Sequence, residues 1–382
     1  MYKEHLVSPG PTAVPPDALL AMAKPIYHHR TKRFDALFGE VSQKLKTIFS
    51  TTRDVFTLTS SGSGAMEAAV VNTINAGDKV ITINGGKFGE RWAKINKKYG
   101  AIVDEIVVPW GKSVDPMAVD AKLKADPSVV AVFVQHCETS TGAMHDVKAL
   151  AAVTAKYNAI LVVDAITALG VHECAMDAWG IDILLSGSQK ALMIPPGLAL
   201  IALSDKAWKR VEQCKTPVFY FDLRAAKKEL EKKTTPWTPA LTLVIGLNSV
   251  IDMMIAEGLP NVYARHANIA AATRKGCEAL GLKVFPENPA NGVTAALAPK
   301  GLSGKKIKSV MEEKYKVSIA GSQDVEKADI IRIGHIGYYD KSDIVLTLSS
   351  LEFALKDLGH SFTWGASLAA AQEVLYTGAP KV

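Results

Sequence analysis

An α/β architecture, doubly wound in style, is the fold this sequence predicts, and three observations predict it. Short apolar runs rich in β-branched residues recur through the middle of the chain. Segments of helical period lie between several of them. The runs are apolar on both faces, the pattern of a mostly parallel sheet with helices on both sides.

Taken in order, the expected strands are residues 55–59, 80–83, 102–107, 130–134, 160–163, 181–185 and 198–203. Helical period marks 66–74, 91–99 and 147–157. The pattern changes near Leu259-Pro260. A long helix over 261–280 leads into short strands at 284–285 and 293–297, a helix at 305–315, a strand at 330–333 and a helix at 342–358. This mixture reads as a smaller α+β unit. The expected division is an N-terminal arm (1–20), a large domain with a mostly parallel seven-stranded sheet (21–257), a small C-terminal domain (258–360) and a tail (361–382). The Ala-rich stretch 366–375 reads as a helix docked on the body or on a partner.

Length and composition agree with this division. At about 150 residues per domain, 382 residues suggest two or three packing units. Hydrophobic residues at 48% and charged residues at 21% exclude a disordered or collagen-like chain. Lys+Arg 44 against Asp+Glu 38 leaves a surplus of +6, compatible with anionic small molecules. Spread over the chain, it does not point to nucleic acid, which would call for one concentrated basic face. Lys227, Lys228, Lys232 and Lys233 read as a solvated helix face. Four cysteines (Cys137, Cys174, Cys214, Cys277) show no zinc or redox spacing, so no metal is expected and reduced thiols are. The N-terminus has no signal-like apolar run. The apolar tract 240–256 contains Asn248, Ser249 and Asp252 and falls short of the roughly 20 residues that span a bilayer. Pro380-Lys381-Val382 is not a peroxisomal signal. A soluble cytoplasmic protein is the expectation.

In an open parallel sheet, ligands bind beyond the carboxyl ends of the strands. Ser60-Ser61-Gly62-Ser63-Gly64 follows the first strand and precedes a helix. Small residues and a helix N-terminus suit an anion, although a tight turn explains them equally well. The turn lacks both the P-loop ending and the third glycine of a dinucleotide fingerprint, where Glu67 stands. After 130–134 come the hydroxyls Thr139, Ser140 and Thr141, as ligand donors or as a capping loop. Asp164 ends the next apolar run, as a ligand partner or an N-cap. Lys190 follows 181–185 with Pro195-Pro196-Gly197 behind it. Burial there lowers an ammonium pKa and suits a Schiff-base nucleophile, the alternative being a snorkelling structural lysine. A phosphate cradle, a carboxylate, an amine and hydroxyl donors together are what pyridoxal 5'-phosphate requires. A nicotinamide enzyme needs no such lysine.

The chain resembles the class V aminotransferases, fold-type I pyridoxal-phosphate enzymes, in particular the alanine–glyoxylate and serine–glyoxylate or serine–pyruvate group. The resemblance is carried by Ser8-Pro9-Gly10-Pro11-Thr12, Ser61-Gly62-Ser63-Gly64-Ala65-Met66-Glu67, Glu138-Thr139-Ser140-Thr141-Gly142, Asp164-Ala165-Ile166-Thr167, Ser186-Gly187-Ser188-Gln189-Lys190-Ala191-Leu192 and Arg332-Ile333-Gly334-His335-Ile336-Gly337. It implies that Lys190 holds the cofactor as a Schiff base and acts as the base. Asp164 would pair with the ring nitrogen and Ile166 would pack on one ring face. Ser61, Gly62 and Ser63 would bind the phosphate with Gln189 nearby, and Ser140 would sit near the phenolic oxygen. Phe88 would take the stacking place of a tryptophan in relatives. Arg332 would grip the substrate carboxylate, with Gly10 bordering the substrate.

The resemblance further implies a homodimer with shared sites, in which Thr238, or alternatively Thr235, reaches the partner's phosphate. The implied reaction moves an amino group from alanine or serine to glyoxylate or pyruvate. Other amines (2-aminoethylphosphonate, ureidoglycine) and a non-catalytic subunit of a larger complex are the alternatives. A cysteine desulfurase is excluded, since 318–329 holds no cysteine.

Overall fold

The structure is a computed structural model that describes residues 3–378, so the sequence expectation about Pro380-Lys381-Val382 falls outside it. Its centre is a seven-stranded sheet: β1 (Val55–Ser60), β2 (Lys79–Asn84), β3 (Ile102–Val107), β4 (Val129–Gln135), β5 (Ile160–Asp164), β6 (Ile183–Gly187) and β7 (Gly197–Leu203). The spatial order is β1-β7-β6-β5-β4-β2-β3. β7 is antiparallel to both of its neighbours, and the other pairings are parallel. All seven strands expected from sequence are present, and the sixth begins two residues later, at Ile183.

The strand pleat explains why these runs are apolar throughout. Ile81, Val132, Val134, Leu161, Val163 and Leu184 enter one apolar cluster. Their alternates Val80, Ala131, Phe133, Ile160, Val162, Ile183 and Leu185 enter the cluster on the opposite face. With period two, every residue is inside something. Each Val, Leu or Ile so buried contributes about 1.5–3 kcal/mol. β3 departs from the rule. It is an edge strand with Ile102 and Val107 exposed, and its Asp104 and Glu105 are ion-paired at 2.6 Å by Lys122 and Lys97. Charge on an edge guards it against further pairing.

Helices cover both faces. One that the sequence reading passed over, Lys32–Phe49, buries Phe34, Phe38, Val41, Leu45 and Ile48 at helical spacing and is capped by Thr31. Helices Leu241–Glu257 and Leu259–Ala279 meet at Gly258 (φ 83°) with an 87° bend. No single helix among the described residues is long and apolar enough to cross a membrane.

A second sheet has β8 (Val293–Leu297), β9 (Ala320–Gly321) and β10 (Ile330–Gly334) in the antiparallel order β8-β10-β9. Its helices build a separate apolar cluster around Ile307, Ile331, Leu348 and Leu355. The strand expected at 284–285 is reduced to one bridge, Val284 with Ala296, because Pro286 has no N–H to continue the pairing and the chain bends at Glu287 and Asn288. The N-terminal arm pairs His5–Leu6 in parallel with Val317–Ser318. It then crosses β10 at Gly334, where any Cβ would collide with the Ser8 carbonyl. The tail helix Ala366–Thr377 docks on the body: Ala371 and Leu375 enter the cluster, and Glu352 accepts from Gly365 N and Ser367 N.

Candidate active site

The carboxyl ends of β4, β5 and β6 and the start of the helix Gly62–Thr73 surround a cavity of about 260 Å³. A larger hollow of about 390 Å³ beside Met253 and Tyr338 has its one arginine, Arg265, already paired with Glu257. Chemistry, not size, selects the first.

Ten of the residues given a candidate role from sequence border this cavity: Gly10, Ser61, Gly62, Ser63, Phe88, Thr139, Asp164, Ile166, Gln189 and Lys190. Ser61 is the N-cap of its helix in extended backbone, with no side-chain cap bond. The first amides of the helix are therefore left for another acceptor. A Cβ on Gly62 would stand 2.5 Å from Ile166 Cδ1, so glycine lets the helix start close against the wall.

Asp164 is buried, and burial pushes its carboxyl up to about 6 against the opposing pull of the Ile166 N–H bond (2.8 Å) and of Arg91 and Lys190. The N-cap alternative falls, because turns follow Asp164 and the next helix starts at Met176. Lys190 is 8% exposed. Burial holds its ammonium down to about 8, with Arg332 lowering it further and Cys137 and Asp164 opposing. Its Nζ donates to the Pro9 carbonyl, and its own carbonyl accepts from Thr12 Oγ1 and Met193 N, both at 3.0 Å. Gln189 Oε1 is buried with no hydrogen-bond partner.

Three of the expected residues stand apart from the lining. Arg332, on β10, lies behind Thr139: its Nη1 donates to the Thr139 carbonyl and its Nε to the Gly321 carbonyl, both at 2.9 Å. No carboxylate pairs with it among the described residues, and burial lowers its pKa to about 10. Ser140 is fully buried behind the wall. Its hydroxyl donates to Glu138 (2.5 Å) and accepts from Lys87 N (3.1 Å), so the lining hydroxyl of this turn is Thr139. Thr238 is exposed beside a separate crevice, whereas Thr235 is buried and donates to the Trp237 carbonyl.

Sequence reasoning gave no role to Arg91, nor to Thr167 although that residue stands in a segment carrying the resemblance, and both border the cavity. Arg91 donates to Ser63 Oγ (3.0 Å), and its guanidinium lies 4.9 Å from the centre of the Phe88 ring. The signal available was its place one helical turn beyond Phe88. Thr167 shares a 2.6 Å hydrogen bond with Thr139.

The comparisons with known proteins bear on this geometry. The family described as Aminotransferase class-V matches residues 6–344. The chain belongs to this family. This class-V aminotransferase is 40% identical over 377 residues to the soluble hydrogenase 42 kDa subunit of Anabaena cylindrica, covering 97% of this chain and 98% of that one. It is 35% identical over 373 residues to the L-aspartate–glyoxylate aminotransferase of Paracoccus denitrificans, covering 96% and 94%. The solved ureidoglycine–glyoxylate aminotransferase of Bacillus subtilis superposes with a TM-score of 0.92 at 27% identity, covering 98% and 99%. The mixed α/β fold with its large, mostly parallel sheet is thus that of fold-type I transferases.

Proposed function

We propose that this class-V aminotransferase uses pyridoxal phosphate to move an amino group from a small amino acid, alanine or serine, to glyoxylate or pyruvate. One observation carries the reading: a lysine amine, shifted toward neutrality by burial, shares a 260 Å³ cavity with a buried carboxylate and an uncapped helix N-terminus. The lining fits the cofactor. The orphaned Gln189 Oε1 needs a donor or water, and the amides of Gly62 and Ser63 are left for an acceptor, Gly64 N being already bonded to the Ser61 carbonyl (2.8 Å). Gly10 and Gly62 leave space that a Cβ would fill.

Ser61, Gly62 and Ser63 would hold the phosphate, with the Arg91 charge beside Ser63. Phe88 and Ile166 would bracket the ring, and Asp164 would face its nitrogen. When bound, the cofactor supplies an aldehyde for amines and a ring that takes up electrons. The rest is done by the chain. Lys190 Nζ is the group that attacks and then takes up and returns a proton, and it is uncharged in a growing fraction of molecules as pH rises through about 8. Asp164 as a carboxylate favours a protonated partner opposite it. Arg332, a planar fork whose bonds go only to carbonyls, fits an α-carboxylate better than a lysine would.

We read the protein as a cytoplasmic homodimer. The four buried free thiols suit a reducing compartment. Exposed Thr238 follows Trp237, whose ring packs on exposed Phe219 and Tyr220 from the far side of the helix Leu223–Leu230, a surface suited to a second copy whose phosphate site Thr238 would complete.

The test is an absorbance spectrum of purified protein, followed by a panel of alanine, serine, aspartate, ureidoglycine and 2-aminoethylphosphonate with glyoxylate or pyruvate. A cofactor band and turnover with alanine or serine support the reading; turnover only with another donor moves it to that amine. The hydrogenase-subunit relative favours a second reading, a non-catalytic subunit, and a cofactor-free protein inert toward every donor would select it.

A further inference from the structure

We propose that Glu138 is a positioning residue that seats Phe88: a carboxylate outside the cavity fixes the apolar plate inside it. The inference rests on reading the cavity as a pyridoxal-phosphate site.

Glu138 is fully buried, and no basic side chain pairs with it among the described residues. Five donors converge on it instead. Oε2 accepts from Phe88 N (3.2 Å), Gly89 N (3.0 Å) and Gln135 Nε2 (3.0 Å). Oε1 accepts from Ser140 N (3.1 Å) and Ser140 Oγ (2.5 Å). Ser140 Oγ accepts in turn from Lys87 N (3.1 Å). Three successive amides, 87–89, are therefore tied to the 138–140 turn. They open the helix Lys87–Lys98, whose N-terminal dipole favours the negative charge.

The packing is as specific as the bonding. A Cβ on Gly86 would stand 2.6 Å from Glu138 Cδ, and one on Gly89 would stand 2.5 Å from the Ile83 carbonyl. Glycine on these two sides of Phe88 lets the backbone lie against the carboxylate and against β2. Among the described residues the Phe88 ring has no aromatic partner and joins none of the apolar clusters; the Arg91 guanidinium lies 4.9 Å from its centre. Its place is thus set through its backbone, and Glu138 holds that backbone. The same turn carries Thr139, whose carbonyl anchors Arg332.

The test uses two variants. Glu138→Gln keeps the shape but turns an NH₂ group toward N–H donors. Gly86→Ala pushes the carboxylate and Ser140 aside without removing charge. For each, the dissociation constants of pyridoxal phosphate and of inorganic phosphate are measured on the apoprotein by tryptophan quenching, with the visible circular dichroism of the reloaded protein. Both variants are expected to bind pyridoxal phosphate on the order of tenfold more weakly, with altered dichroism and unchanged affinity for inorganic phosphate. Wild-type affinity and dichroism in both variants would overturn the proposal. So would an equal loss for both ligands, which marks general damage to the fold. Should Glu138→Gln not fold, Gly86→Ala decides. If the wild-type protein binds no pyridoxal phosphate, the cavity reading fails too; if it binds and the variants bind equally well, the role of Glu138 alone is withdrawn.

Discussion

The two walls of the Lys190 cavity are built on different foundations. One wall carries Ser61–Ser63, Asp164, Gln189 and Lys190, all at or just beyond the ends of strands of one seven-stranded sheet. The other wall takes Gly10 from the N-terminal arm and, behind Thr139, Arg332 from a second sheet with its own core. Positions on the first wall are fixed by a continuous hydrogen-bonded ladder. Those on the second depend on a seam between the two sheets, crossed by side-chain contacts such as Arg332 Nη1 to the Thr139 carbonyl and Asn291 N to His172 Nε2 (both 2.9 Å) and by a few backbone bonds such as Ala290 N to the Gly142 carbonyl (2.8 Å). The lesson is a division of labour: damage to the first wall should strike the chemistry, and damage to the second should strike substrate affinity.

The sharpest way to break this comparison is Lys190→Ala. Turnover is expected to fall about a thousandfold or more, as for loss of a nucleophile and base together. A steady-state assay with the best donor checks it, and undiminished turnover would remove the first wall from the chemistry.

Arg332→Ala should have a smaller and different effect. The KM for α-amino acids is expected to rise on the order of tenfold to a hundredfold, the usual value of charge-assisted hydrogen bonds. Cofactor affinity should hold. A kcat loss with unchanged KM would show that the walls do not divide as argued.

The smallest effect is that of acid. Burial, then Arg274, holds His172 down to about 4 from the ordinary 6.5. Below about 6.5 the unfolded chain takes up a proton that the folded chain refuses, so stability drops as pH falls from 6.5 toward 4 and is whole above. Buried His266 and His335, both pushed to about 3, act in the same direction. Since His172 bonds across the seam, amino-donor KM should rise in that window before cofactor is released. Parallel titrations of KM and cofactor fluorescence check the order of events.

What the sequence disclosed follows the same divide. The strands of the large sheet were legible because both faces are buried, so each reads as an unbroken apolar run. Polar residues ending such runs, Asp164 and Lys190 above all, are conspicuous for the same reason. Edge strand β3 was legible by position but not in its charged face. Arg332 sits on a short strand of a second sheet and was legible only through resemblance. Arg91 required the phase of a helix whose start was placed four residues late. The sequence shows Ser140 among three hydroxyls but not which way each turns, and the structure turns it to Glu138. Two of the donors to Glu138, Phe88 N and Gly89 N, lie some 50 positions earlier, a closeness that only the folded ladder creates. The helix Lys32–Phe49 was missed although Phe34, Phe38, Val41 and Leu45 keep its period.

One further consequence follows from the reversed direction of β7. Its ladder sets Ala199 beside Gly187, so the segment carrying Lys190 is an arch with both feet on adjoining strands. Ser188 braces it from within: its N–H donates to the Leu198 carbonyl (2.9 Å) and its hydroxyl to the Pro195 carbonyl (2.8 Å). The backbone beneath that amine is thus held at both feet, and its reach comes from the four-carbon side chain alone. Lengthening the arch by a single residue, even at its far foot, is expected to re-aim that amine.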